Sequence, residues 1–129
     1  MKDYLWINHN KIGYKQLEKT LGRKKFETLL KSRIERDLNG YKVYVKDVNA
    51  SLIGEEFLDM LDIRDFLEAE INELSKTKDI NDFQKTLEEL DKQFKEQKEI
   101  CIKKFSGLTE TPDAPKTQWW RHLKTYDSK

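Results

Sequence analysis

From Ile80 onward the apolar side chains step by three and four: Ile80, Phe83, Leu87, Leu90, Phe94 and Cys101, with Gln97 as the polar member of the row. A seam of about three heptads is the mark of a helix that buries one side, and it limits the fold more than any other stretch of the chain. Acid-before-base pairs four residues apart, Glu88–Lys92, Asp91–Lys95 and Glu99–Lys103, support the same helix from its solvent side. Two arrangements bury such a seam. Residues 55–74 can fold back on 80–105 as a helical hairpin, or a second copy can cover it. The second copy is expected, because the front of the chain is too small to cover both apolar faces. Ile80, Phe83, Leu87, Leu90, Phe94 and Cys101 then form a homodimer interface. Phe at two seam positions is unusual in a tight two-stranded coil, which keeps the hairpin open.

Composition explains why helices are expected throughout. The 129 residues include only 5 Gly and 2 Pro, and the charged fraction, 38%, exceeds the hydrophobic fraction, 36%. That suits one small domain with a helical extension. The net charge of +1 conceals a separation. Residues 1–54 hold 12 Lys/Arg against 6 Asp/Glu, whereas residues 55–129 hold 13 against 18. Glu55–Ser75 contains eight acids and the single base Arg64. Three parts follow: a basic 1–54, a helical 55–106, and a linker with a Trp-containing tail at 107–129. The basic part is available for a polyanion, and the acids read as the surface of a helix.

Within the basic part, Tyr4–Ile7 is a short strand or anchor, and Asn8-His9-Asn10 a turn. Leu17 and Leu21 lie on one helix face until Gly22 breaks it. Phe26, Leu29, Leu30 and Ile34 then define an amphipathic helix from Arg23 to about Asp37, whose outer face carries Lys24, Lys25, Thr28, Lys31, Ser32, Glu35 and Arg36. Arg33 falls towards the apolar side. Asn39-Gly40 reads as a turn, and Tyr41-Lys42-Val43-Tyr44-Val45-Lys46 alternates with period two, as a half-buried strand does. On that strand Lys42, Tyr44 and Lys46 share the outer face, and Tyr41, Val43 and Val45 the inner one. Asp47, Asn49 and Ser51 are candidate caps for the next helix.

This order of short helix, glycine turn, basic helix, turn and strand resembles the winged helix-turn-helix of excisionase-like and MerR-like DNA-binding proteins, over roughly Tyr14 to Leu52. The resemblance implies a mainly α fold with a small β wing, followed by the helical hairpin or coiled coil. It also implies that Lys24, Lys25, Thr28, Lys31 and Lys42 touch duplex DNA, with helix residues in the major groove and the basic strand on the backbone. Ser32, Arg36 and Lys46 join them on the strength of the outer faces alone. Two features depart from the pattern: the recognition helix begins Arg23-Lys24-Lys25 rather than with Ser or Thr, and it runs long.

Towards the end of the chain, Ser106-Gly107 stops the helix, Leu108–Thr117 has the Thr, Pro and Asp content of a linker, and Trp119-Trp120-Arg121 follows. Those three pack on the helices, dock on a protein partner, or anchor at a membrane surface; Trp and Arg favour docking over anchoring. Catalysis has no support in motif or spacing. His9 and His122 are far apart, Cys101 is the lone cysteine, and no phosphate loop or metal-ligand spacing is present. The start lacks a signal-peptide core and no apolar run nears the roughly 18 residues of a membrane span, so a cytoplasmic location is expected. The expectation is a small DNA-binding regulator or accessory protein, of a kind that would suit a phage or mobile element. It has no enzyme activity, cofactor or metal, and it dimerises through its rear helices. The alternative is an inhibitor or adaptor that meets a protein partner through the acidic helix and the Trp119–Trp120 tail.

Overall fold

Gly22 takes φ 84°, a left-handed backbone that side chains disfavour, and there the chain passes from one helix into the next. The computed structural model describes residues 13–126, so Tyr4–Ile7, the turn after it and His9 lie outside the described residues. The described part is mainly helical: α1 (13–21), α2 (Arg23–Asp47), α3 (Gly54–Leu74), α4 (Asn81–Glu96), α5 (Lys98–Lys104) and a single 3-10 turn at Trp119–Arg121. No strand occurs among the described residues; one isolated bridge joins Glu110 to His122.

The expected wing is therefore corrected. α2 runs without interruption through Asn39-Gly40 and the whole of Tyr41–Lys46. Tyr41 and Val45 are fully buried while Val43 between them is 64% exposed, which a strand carrying all three inward could not give. The helical period wins because Phe26, Leu30, Ile34, Leu38, Tyr41 and Val45 form one continuous buried stripe, steps of three and four that extend the first half of the helix. Gly40 is not a turn residue either. A Cβ there would stand 3.3 Å from the Ile63 Cδ1 of α3, so glycine permits close approach of two antiparallel helices.

α3 is the central helix. α2 packs along one side of it, and α4 crosses α2 while touching α3 through Arg64–Asp91 and Phe57–Phe94. Phe94 is fully buried, with its ring centroid 6.3 Å from Tyr41, 6.4 Å from Phe57 and 5.4 Å from Trp119. Leu87, Leu90 and Cys101 are buried beside it, and Ile80 and Phe83 pack partly buried against the same core. The seam thus closes within one chain, and these six side chains are not a free homodimer surface. α2 grew long enough to cover what the sequence left over for a second copy. The seam is also not one helix: at Gln97 the backbone leaves helical geometry between α4 and α5. Its side-chain amide donates to the carbonyls of Val45 (2.9 Å) and Gln93 (3.2 Å), and Lys104 Nζ reaches the Val48 carbonyl (2.9 Å). The polar seam residue therefore satisfies a carbonyl in the last turn of α2, where the helix leaves acceptors without partners.

The tail is corrected as well. Trp120 and Arg121 are buried on α3 rather than offered to a partner, and Trp119 is half-buried against Phe94 and Tyr126. Trp120 Nε1 donates to Asp65 Oδ1 at 2.7 Å, and Arg121 pairs with Asp62 (2.8 Å) and Asp65. Backbone bonds Thr111 N–Arg121 O (2.7 Å) and Leu123 N–Thr109 O (3.1 Å) make the supposed linker a closed loop. No helix among the described residues is long and apolar enough to cross a membrane.

Truncating the ring on which four elements converge tests this packing. Phe94→Ala is expected to lower unfolding free energy by about 3–5 kcal/mol, read from urea denaturation. A loss under about 1 kcal/mol would mean that the seam is not filled from within the chain.

Candidate nucleic-acid interface

Because α2 continues as a helix, the residues assigned to a recognition helix and to a wing come together on one face. Lys24, Thr28, Lys31, Lys42 and Lys46 recur at intervals of three, four and sums of these, and all are exposed. Lys25, Ser32 and Arg36 flank the same row and are also exposed. The stripe runs from Lys24 to Lys46, 22 residues or about 33 Å at helical rise. Glu35 is the one acid in the row, and it is exposed. Arg33 is half-buried on the other side, as its position on the wheel required. Thr28 Oγ1 donates back to the Lys24 carbonyl (3.1 Å), while Arg36 Nε pairs with Asp37 (3.2 Å) and keeps its side chain 69% exposed.

The sequence reading missed Lys85. It stands on α4 beside the end of the stripe, in a shallow groove lined with Lys42, Lys46, Thr86, Glu89 and Gln93. Nothing along the chain links residue 85 to residues 42 and 46; only the packing of α4 across α2 does. The opposite side of α2 is held by the core, so the cations sit on a rigid rod. Such an array can contact phosphates at several points along it without reordering the backbone.

Behind the stripe lies an unusual pair. Asp37 of α2 is 5% exposed and Glu70 of α3 is 3% exposed, and each keeps one carboxyl oxygen, Oδ2 and Oε1, without a hydrogen-bond partner. Burial, then the neighbouring Asp37 carboxylate, pushes Glu70 up to about 9, so that at neutral pH it is protonated. The Tyr14 phenol, buried near both acids, is shifted upward, chiefly by burial. The sequence had placed these α3 acids on a surface; Asp65 and Glu70 are instead inside.

The described residues contain no group of three or more His, Cys, Asp or Glu placed to hold a metal ion. The Cys101 thiol is buried and pushed up to about 12, far from a reactive thiolate. His122 Nε2 lies 3.0 Å from the Ala114 carbonyl, within the terminal loop. Comparison with protein-family models, with curated proteins and with solved structures gives no match for this chain.

The buried carboxyl pair sets a pH dependence. Glu70 has a higher pKa folded, about 9, than its ordinary value of 4.5. Its contribution to stability is therefore complete below about pH 4.5 and is lost progressively as pH rises towards 9. Gln resembles the protonated carboxyl and cannot ionise. Glu70→Gln is expected to leave thermal stability unchanged near pH 4 and to raise Tm increasingly between pH 6 and 9, measured by circular dichroism. A Tm difference that does not vary with pH would remove the proton from this account.

Proposed function

We propose that this chain is a non-enzymatic nucleic-acid-binding protein, a small regulator or accessory factor that grips duplex DNA with the exposed stripe of α2. One observation carries the proposal: six cations, Lys24, Lys25, Lys31, Arg36, Lys42 and Lys46, with two hydroxyl residues and the single acid Glu35, lie on one side of one uninterrupted helix. Neighbouring α3 holds eight acids and one base, so α2 and α3 carry opposite charge balances. Sorting of that kind concentrates positive potential where phosphates can approach.

Among the described residues no strand stands beside the helix to reach an adjacent groove. Most of the affinity then comes from phosphate contacts, which position the protein and tolerate sequence change. The competing role for the tail, docking on a protein partner, loses its anchor residues to the core, since Trp120 and Arg121 are buried against α3.

Titration of the purified chain into labelled duplex DNA over a salt series tests the proposal. If four to six phosphates are contacted, log K is expected to fall against log salt with a slope of about −4 to −5. Lys24→Glu, Lys31→Glu and Lys42→Glu combined should abolish binding while the helical circular dichroism stays unchanged. Failure of the wild-type chain to bind duplex at low salt, about 50 mM, would refute the proposal.

A further inference from the structure

The stripe is not evenly charged, and its unevenness has a repeat. Along the central row the side chains are Lys24, Thr28, Lys31, Glu35, Asn39, Lys42 and Lys46, all exposed. Two cationic ends therefore flank a middle that contains an acid and an amide. From Lys31 to Lys42 is 11 residues, about 16 Å of rigid helix at 1.5 Å per residue. At the second end Lys85 of α4 shares a groove with Lys42 and Lys46, which Glu89 also lines.

A single row of phosphates does not suit this pattern. Laid along one strand, the carboxylate of Glu35 would meet phosphate in the middle of the contact, and about 1 kcal/mol per close pair of like charges would be lost. Two rows of phosphates separated by a groove do suit it. The major groove of B-form DNA is about 12 Å wide and 8.5 Å deep, so the phosphates on its two rims stand farther apart than the groove width itself. A helix crossing it can rest one cationic end on each rim; its middle, where Glu35 and Asn39 stand and the Arg36 charge is paired with Asp37, then lies over the groove, clear of both rims.

Building on the nucleic-acid reading above, we propose that α2 bridges the two phosphate rims of a duplex groove, and that Glu35 is the residue that makes the site select duplex over single-stranded DNA. Lys24 and Lys31 hold one rim; Lys42, Lys46 and Lys85 hold the other. Glu35 acts by exclusion. It leaves the paired-rim geometry undisturbed and penalises any polyanion that follows the helix as one continuous chain.

The test compares binding to a duplex and to one of its own strands at matched salt. Duplex is favoured by its charge density alone, so the informative quantity is how the duplex-to-single-strand ratio changes between two variants that each add one positive unit. Glu35→Gln removes the acid from the gap, and Thr28→Lys adds a cation within the first cluster. Both positions are exposed, so neither change threatens the fold. Thr28→Lys is expected to strengthen binding to both ligands and to keep the ratio. Glu35→Gln should strengthen single-strand binding disproportionately and narrow the ratio about fivefold, the equivalent of about 1 kcal/mol. Equal ratios in the two variants would overturn the bridging geometry while leaving DNA binding intact. Absence of binding to either ligand would instead refute the broader proposal and this one with it.

Discussion

Arg64 is the one base on α3, and at 4% exposure it stands near the middle of the central helix. An unpaired guanidinium there would cost several kcal/mol, so its partners determine which elements must come together. Two parallel bonds of 2.9 Å run from Nε and Nη2 to the carboxylate of Asp91 on α4, and Tyr41 of α2 donates its hydroxyl to the same carboxylate at 2.6 Å. The guanidinium carbon lies 4.0 Å over the Trp120 ring. One cation thus ties α2, α3, α4 and the terminal segment to one another. Burial and the Asp91 charge act on it in opposite directions, and the carboxylate prevails, keeping Arg64 charged. The next residue, Asp65, does the reverse, holding Trp120 and Arg121 with a buried carboxylate.

That arrangement explains which parts of the fold were legible in the sequence. Element type was readable wherever burial is one-sided: Phe26 to Ile34 in α2 and Leu87 to Phe94 in α4 repeat with the helical period and are helices. The Asp79 carboxylate accepts the Asn81 N–H at 2.9 Å, just ahead of α4. The misreading at Tyr41–Lys46 arose because six residues satisfy period two and period 3.6 equally well. Only Val43, exposed between two buried neighbours, distinguishes them, and its exposure depends on where α3 and α4 lie. Asn39-Gly40 reinforced the error, since a glycine needed for helix contact and a glycine needed for a turn look alike in one sequence.

The terminal segment was unreadable for a different reason. Its anchoring bonds connect residues 55 to 59 positions apart, Trp120 and Arg121 to Asp65 and Asp62. Periodicity reports what lies one or two turns away and says nothing of such pairings. Glu55–Ser75 looked like a solvated acidic face because acids are seldom buried, and the compensating groups are on other elements. The same blindness applied to Lys85, whereas the eight stripe residues were found because a helical wheel gathers the first six on one face. Lys42 and Lys46 were chosen for the wrong secondary structure. They survive as candidates because Lys42 and Lys46 are four apart, a spacing that puts them on one face of a strand and also of a helix.

The polarity of α2 follows from the buried acids and gives the stripe its character. Glu27 and Asp37 of α2 are turned inward, where Glu27 meets Arg23 (3.2 Å) and Thr77, and Asp37 meets Glu70 and Arg36. Removing two of the four acids of α2 from its solvent side leaves the outward row far more basic than the helix composition suggests. The whole-chain charge of +1 therefore understates the local field by design of the packing, not by chance of composition. Against that background Glu35 is conspicuous. Its wheel neighbour one turn back is Lys31, and Lys42 lies two turns ahead. An acid centred between two cationic clusters about 16 Å apart accords with the proposal that the row discriminates by what it refuses to bind.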